Sequence, residues 1–147
     1  MLEVAERMPE VRFVFAGYGE AEENIKKVPN AEFVGFKTGH ELKTLIAKAD
    51  ISVYPSEWYE NCPFSVIESI TLNTPVIGSN MGGIPELIEE GKTGFVFKAG
   101  DPDDLENKIS LLMGDKSLLE KMTENCSSAQ FETEESYYCK LIRIYED

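Results

Sequence analysis

Hydrophobic residues along the chain follow two rhythms that alternate. Five short apolar runs, Val11–Gly17, Ala31–Gly35, Ile51–Pro55, Pro75–Gly78 and Gly94–Phe97, are rich in β-branched and aromatic residues. Gly, Pro, Asp or Asn bounds each run, which predicts buried strands. Between them the spacing turns helical. Glu41–Ala49 sets Leu42, Leu45 and Ile46 on one face, Phe64–Leu72 does the same with Phe64, Ile67 and Leu72, and Ile84–Glu90 reads as one short helix. Strands alternating with helices predict βα units joined by right-handed crossovers in a parallel sheet, an α/β fold of the Rossmann type. After Phe97 the strand rhythm stops. Asp101-Pro102-Asp103-Asp104 opens a helix with acids in its first turn, where the helix dipole favours them. Leu105, Ile109, Leu112 and Met113 form its apolar stripe, and helices over Ser117–Ala129 and Glu134–Tyr145 complete an all-helical C-terminal third. At the other end, Leu2–Met8 reads as the last two turns of a helix running into the first strand. In a doubly wound sheet a strand normally precedes such a helix, so the chain reads as starting partway through a βαβ unit.

Composition narrows the class. The 147 residues suit one domain, residues 1–147, and 42% hydrophobic with 28% charged residues is an ordinary globular balance. A net charge of −13 argues against nucleic acid and against anionic membrane surfaces, both of which bind through Lys and Arg. No apolar run approaches the roughly 18 residues of a spanning helix. Met1–Arg7 has no signal-peptide core. These features point to a soluble, cytoplasmic protein. Cys62, Cys126 and Cys139 have spacings that fit neither a metal knuckle nor a disulfide framework, so free thiols in a reducing compartment are expected. The acidic runs Glu20–Glu23, Glu89-Glu90 and Glu132–Glu135 read as solvated charge. The stripe Tyr137, Tyr138, Leu141, Ile142 and Tyr145 reads as packing, with part of it open to solvent in the absence of a neighbouring domain.

Candidate chemistry is concentrated in one stretch. There is no GxxxxGKS or GxxxxGKT loop, and Gly17-Tyr18-Gly19 lacks the third glycine of a dinucleotide fingerprint because position 22 is Glu. His40, the single histidine, has no apparent catalytic partner and reads as a surface residue at a helix start. From Tyr54 to Glu68, by contrast, a strand end, an irregular loop and a helix opening at Pro63 follow one another. In open α/β sheets ligands bind beyond the carboxyl ends of strands. Free amides from about Cys62 to Ser65 suit an anion such as a diphosphate. Glu60 and Glu68 bracket that helix start, and a carboxylate's two oxygens suit a vicinal diol such as a ribose. On spacing alone, a solvated loop acid and the outer face of an amphipathic helix explain the same two residues equally well.

A resemblance weighs between those readings. The pattern Pro-Ser-x3-Glu-x7-Glu at Pro55–Glu68 continues into Thr74-Pro75-Val76-Ile77 and then Gly82-Gly83-Ile84-Pro85-Glu86-Leu87-Ile88-x-x-Gly91-x-x-Gly94-Phe95-Val96. Together with Phe13–Gly19, Phe33–Phe36 and Ala47–Ile51, it resembles the C-terminal half of the family 4 retaining glycosyltransferases, two-domain enzymes of the GT-B fold. The resemblance runs from about Leu2 to Leu112. It implies that Glu68 holds the ribose hydroxyls of a nucleoside-diphosphate sugar donor. It further implies that Glu60 is the catalytic carboxylate beside the donor sugar, binding a hydroxyl or stabilising an oxocarbenium-like transition state. The segment Asn61, Cys62, Pro63, Phe64 and Ser65 would hold sugar and diphosphate through its backbone. The turn Gly35-Phe36-Lys37, with Leu42, would lie along the nucleobase, and Gly17 and Gly19 would border the same donor site.

By the same resemblance, the acceptor hydroxyl attacks on the face the diphosphate leaves and the leaving oxygen takes the proton. No cofactor and no metal are then expected in this half. The family's acceptor-binding N-terminal domain, a central strand of the sheet, and an Arg and Lys that neutralise the diphosphate have no counterpart in these residues, so a donor-binding piece inactive alone is expected. Two departures stand out. Asn61-Cys62-Pro63 replaces the frequent Gly-Phe-Gly, and Asn73 stands at a helix end where Gly is usual, although Asn is the next-best left-handed cap. The competing reading is a non-catalytic α/β module, receiver-like or nucleotide-binding. A receiver needs acids at its strand ends, whereas this chain has Gly17, Gly35 and Pro55 there. A dehydrogenase domain is disfavoured by the incomplete GxG.

Overall fold

A computed structural model describes residues 1–131 and 134–146. The elements follow the anticipated alternation: α1 Leu2–Arg7, β1 Phe13–Ala16, α2 Glu22–Ile25, β2 Ala31–Gly35, α3 Gly39–Ala47, β3 Ser52–Tyr54, α4 Phe64–Thr71, β4 Val76–Ser79, α5 Ile84–Leu87 and β5 Gly94–Phe97. The helices α6 Pro102–Gly114, α7 Lys116–Ser128 and α8 Glu134–Glu146 then close the chain. All strand pairs are parallel, and helices flank them, so the α/β Rossmann-like class holds.

The strands form two sheets where one was expected. One contains β1 and β2; the other has the order β3-β4-β5 with β4 in the middle. Among the described residues no strand pairing links β1 with β3. Hydrophobic packing joins the two sheets instead. One core cluster combines Val4, Ala5 and Met8 of the α1 end with Phe13 and Val28 on the first sheet's side, and with Ile77 and Phe97 of the second sheet. Leu105, Ile109 and Leu112 of α6 and Met122 of α7 complete it. A second cluster on the other side of β4 contains Val66, Ile70, Val76, Ile84, Ile88 and Cys126.

Local chemistry fixes the ends of these elements. Asp101 accepts the backbone N–H of Asp104 at 3.2 Å, the expected N-cap of α6, and that bond holds its carboxyl below the usual range. Asn73 after α4 has φ 64°, the left-handed conformation anticipated for it. The Asn30 side-chain amide donates to the carbonyls of Ala5, Met8 and Val11 at 2.8–2.9 Å, which ties the end of α1 to the entry of β1. Nothing in the apolar pattern marks that residue.

Several packing expectations need correction. The buried seam of α4 is Val66, Ser69 and Ile70, while Phe64 is 76% exposed. A serine in the seam hides this face from a hydrophobicity count. Ser69 enters the interior because its hydroxyl bonds Tyr54 Oη at 2.7 Å and Ser52 Oγ at 3.1 Å. The helix at Ile84 stops at Leu87 rather than Glu90. Glu90 instead makes a bridge with Gly94, accepts the Val96 N–H at 2.7 Å and lies 3.6 Å from Lys108, so this acid is structural rather than merely solvated. The short helix α2 was not anticipated. Leu42, Leu45 and Ile46 share a face as predicted, yet α3 buries none of its residues. Met113, at the end of the α6 stripe, is exposed, as are Tyr137, Tyr138 and Tyr145 of α8, with Leu141 and Ile142 half-buried. The tyrosines are thus the part of that stripe open to solvent, as expected, and Leu141 and Ile142 its half-buried part. Of the acidic run 132–135, residues 132 and 133 lie outside the described residues.

All three cysteines are free. Burial pushes the Cys126 thiol up to about 11, whereas Cys62 and Cys139 are exposed. Because the thiolate is the reactive form, a thiol reagent near pH 8 is expected to label Cys62 and Cys139 of the folded protein promptly and Cys126 only after denaturation. Rapid labelling of all three sites without denaturant would contradict this burial.

Candidate functional site

The loop from Pro55 to Pro63 leaves the carboxyl end of β3 and enters α4, and a chain of short polar contacts fixes its path. Ser79, fully buried at the end of β4, donates its hydroxyl to the Ser56 carbonyl at 2.6 Å. The Ser56 hydroxyl donates to Glu60 Oε1 at 2.9 Å. The Gly83 N–H donates to the Glu60 carbonyl at 2.7 Å. The carboxylate of Glu60 is therefore positioned from β4 through two serines, and its backbone is clamped by the turn before α5.

That turn is built from glycine for steric reasons. Gly82 has φ 54°, and a Cβ there would collide with the Glu60 carbonyl oxygen. A Cβ on Gly83 would collide with the Asn61 carbonyl oxygen. The two glycines let one backbone lie directly against the other. No motif at Glu60 itself reveals this support.

The start of α4 is held from β3. The Tyr54 hydroxyl donates to the Ser65 carbonyl at 2.8 Å and shares a hydrogen bond with Ser69 Oγ. Burial raises the Tyr54 pKa, so the phenol stays a neutral donor. Pro63 caps α4 with extended backbone and no side-chain hydrogen bond. Among the described residues the amides of Asn61, Cys62, Phe64 and Ser65 have no protein acceptor, which leaves donors facing the site at the positive end of the helix.

Glu60 and Glu68 lie on either side of that helix start, both partly exposed, and neither is ion-paired among the described residues. A cleft of about 260 Å³ is lined by Tyr54, Pro55, Ser56, Glu60, Pro63, Ser65 and Ile84. A larger cleft of about 780 Å³ shares Tyr54, Pro55 and Ser65 with it and adds Glu68 and Leu42. The structure thus gathers Glu60, Glu68, Pro63, Ser65 and Leu42 around adjoining clefts, whereas Asn61, Cys62 and Phe64 are exposed and line neither. Gly17 and Gly35 meet at the neighbouring strand ends, where the Gly17 N–H donates to the Gly35 carbonyl at 3.0 Å. Tyr18 and Phe36 pack edge to face there at 5.4 Å between ring centres, with Gly19 and Lys37 beside them. None of these six residues lines either cleft. His40 is exposed on α3, and no group of three or more His, Cys, Asp or Glu among the described residues is placed to share a metal ion.

An α/β domain that gathers carboxylates and unpaired amides at the carboxyl ends of parallel strands is of the ligand-binding, Rossmann-like class. The family model described as glycosyl transferases group 1 matches residues 1–128, and the chain belongs to that family. It is 37% identical over 123 residues to a sulfoquinovosyl transferase of Arabidopsis thaliana, covering 80% of this chain and 24% of that protein. Similarity to the α-D-kanosaminyltransferase of Streptomyces kanamyceticus is 27% over 132 residues, covering 85% of this chain and 34% of that protein. The chain therefore spans 24% to 34% of the length of these relatives. Sucrose-phosphate synthase from Thermosynechococcus elongatus shares the fold with a TM-score of 0.83 at 21% identity, over 99% of this chain and 40% of that one. Anabaena HepE, solved in complex with UDP-glucose, gives 0.76 at 22% identity, over 86% of this chain and 38% of that one. The GT-B, Rossmann-like expectation is met by both.

Proposed function

We propose that this chain is the donor-binding half of a retaining glycosyltransferase that moves a sugar from a nucleoside-diphosphate sugar to a hydroxyl of a glycan, polysaccharide or glycolipid. One observation carries the reading: Glu60 and Glu68 bracket the uncapped start of α4 at the carboxyl end of β3. The diphosphate accepts from the amides of Asn61 to Ser65, and the helix dipole favours its charge. Glu68 accepts from the ribose hydroxyls. Glu60, oriented by Ser56, lies against the donor sugar and stabilises positive charge as the leaving group departs. Gly35, Phe36 and Lys37, with Leu42 and the Gly17–Gly19 turn, border the nucleobase. The leaving oxygen serves as base, so neither a histidine nor a metal is required in this half.

In this reading a further domain binds the acceptor, cations outside these residues neutralise the leaving diphosphate, and the 147 residues alone bind the donor without transferring its sugar. The acidic surface and free thiols support a cytoplasmic setting. No helix among the described residues is long and apolar enough to cross a membrane.

Calorimetric titration with UDP, GDP, ADP, UDP-glucose and GDP-mannose tests the donor site. One nucleotide is expected to bind at micromolar to millimolar strength. Glu68→Ala is expected to weaken it about tenfold or more, the size of a charged hydrogen bond lost. Silence from every ligand on a folded chain, or an unchanged affinity in Glu68→Ala, would overturn the assignment.

A further inference from the structure

The buried residues of α1 and α6 are all apolar. Apolar burial is non-directional, so it fixes the depth of a helix more firmly than its rotation about its own axis. In α4 the buried seam combines Val66 and Ile70 with Ser69, which has no exposed surface. Ser52 and Tyr54 stand two residues apart on β3 and so share one side of the strand. Ser65 and Ser69 stand four apart on α4 and share one face of the helix. The Tyr54 hydroxyl spans that helical turn, donating to the Ser65 carbonyl at 2.8 Å and meeting Ser69 Oγ at 2.7 Å. Ser69 donates in turn to Ser52 Oγ at 3.1 Å. Three directional bonds across one full turn lock the rotation of α4 against β3.

That rotation bears unequally on the groups α4 carries. Backbone atoms lie within about 2.3 Å of a helix axis, whereas the tip of a long side chain lies about 5–6 Å out. A turn of about 10° therefore shifts an amide by less than about 0.4 Å but a glutamate carboxylate by about 1 Å. Glu68 is the neighbour of Ser69 and borders the same cleft as Tyr54 and Ser65. Burial, and then the charge of Glu68, raise the Tyr54 pKa, so the carboxylate acts on the phenol at close range and the phenol stays protonated at neutral pH.

Building on the reading of Glu68 as the ribose ligand, we infer that the Tyr54, Ser69 and Ser52 hydroxyls set this domain's preference for a ribonucleotide over a 2′-deoxyribonucleotide. Tyr54 is a positioning residue: it fixes the rotation of α4 and so aims the Glu68 carboxylate at the ribose hydroxyls. The anion-binding amides at the start of α4 lie close to the axis and depend on it little.

Calorimetric titration of UDP, GDP and ADP against their 2′-deoxy counterparts provides the test, on wild type, Tyr54→Phe and Glu68→Ala, singly and combined. Wild type is expected to favour the ribonucleotide about tenfold or more, the size of one charged hydrogen bond. Tyr54→Phe is expected to cut that preference below about threefold, because a carboxylate about 1 Å out of place loses most of a directional contact. Affinity for the 2′-deoxy form should stay within about twofold, since only the ribose contact is lost. Added to Glu68→Ala, Tyr54→Phe is expected to change affinity less than about twofold, there being no carboxylate left to aim. Val66→Ala is the structural control: it opens a cavity under the same helix and lowers the melting temperature at least as far, yet leaves the hydroxyl bonds and the preference in place. Ser69→Ala removes two of the three bonds, and loss of the preference there gives the answer if Tyr54→Phe fails to fold. A preference that survives in the folded hydroxyl variants, that falls equally in Val66→Ala, or that shows fully additive losses in the double variant overturns this inference alone. Silence of the wild type towards every nucleotide, or equal affinity for ribo and deoxy forms, overturns the Glu68 reading and this inference with it.

Discussion

Gly82→Ala is expected to lower unfolding free energy by about 2–5 kcal/mol and to weaken nucleotide binding well beyond tenfold, because two costs fall on one residue. The first is conformational. At φ 54° a residue with a Cβ lies in the left-handed region, at a cost of roughly 1–2 kcal/mol. The second is steric. The added Cβ points into the Glu60 carbonyl, in a packed turn with no flexible side chain to move aside. Overpacking of that kind typically costs about 1–3 kcal/mol. The loop must retreat, and with it goes the bond from the Gly83 N–H that clamps Glu60. Gly39→Ala isolates the first cost. Gly39 shares the same φ of 54°, yet its Cβ would meet nothing within 4 Å. It should lose only about 1–2 kcal/mol and leave nucleotide binding nearly unchanged. Denaturant melts and nucleotide titrations of both variants provide the comparison. Equal losses would show that the close approach to the Glu60 loop contributes nothing.

This clamp also shows where sequence reading reaches and where it stops. Strands and helices were legible because β-branched runs and the 3.6-residue rhythm report the local period of burial. Asn73 was legible because few residues tolerate a left-handed cap, and its φ of 64° agrees. Glu60 and Glu68 were legible as a motif, and their common border on the α4 start follows from seven residues of loop and helix between them. The supports were not legible. Ser79 reaches the Glu60 loop from another strand, at the Ser56 carbonyl, and Asn30 ties α1 to β1, contacts set by tertiary folding rather than by local spacing. The α4 seam was misread for a related reason. Ser69 counts as polar in a hydrophobicity pattern, but two hydroxyl partners make its burial affordable. The two-sheet arrangement escaped for the opposite reason: each strand is locally ordinary, and only their pairing in space shows that β1 and β3 do not meet.

Ile77→Ala is the second large effect, expected to cost about 2–5 kcal/mol, the range for truncating a fully buried aliphatic side chain. Ile77 has no exposed surface and belongs to the middle strand of the second sheet, opposite Val53 on β3 and Phe95 on β5. Its side chain enters the cluster that also contains Phe13 and Val28 from the first sheet's side. Since among the described residues no ladder connects β1 to β3, that cluster is the principal link between the sheets, and a cavity there loosens both. Against a total stability of about 5–15 kcal/mol for a domain, the loss removes a large share. Val76→Ala, on the opposite face of β4, deletes less side chain and opens its cavity in the other cluster, away from α1. Leu111→Ala, at a half-exposed position of α6, should stay within about 0.5 kcal/mol. Native-state hydrogen exchange then separates the faces. Ile77→Ala should speed exchange in β1, β2 and α1 together with β4, whereas Val76→Ala should speed it in α4 and β4 and leave β1 and β2 near wild type. If Ile77→Ala leaves β1 and β2 untouched, the first sheet is held by α1 and the Asn30 bonds alone, and the shared core contributes little to joining the halves.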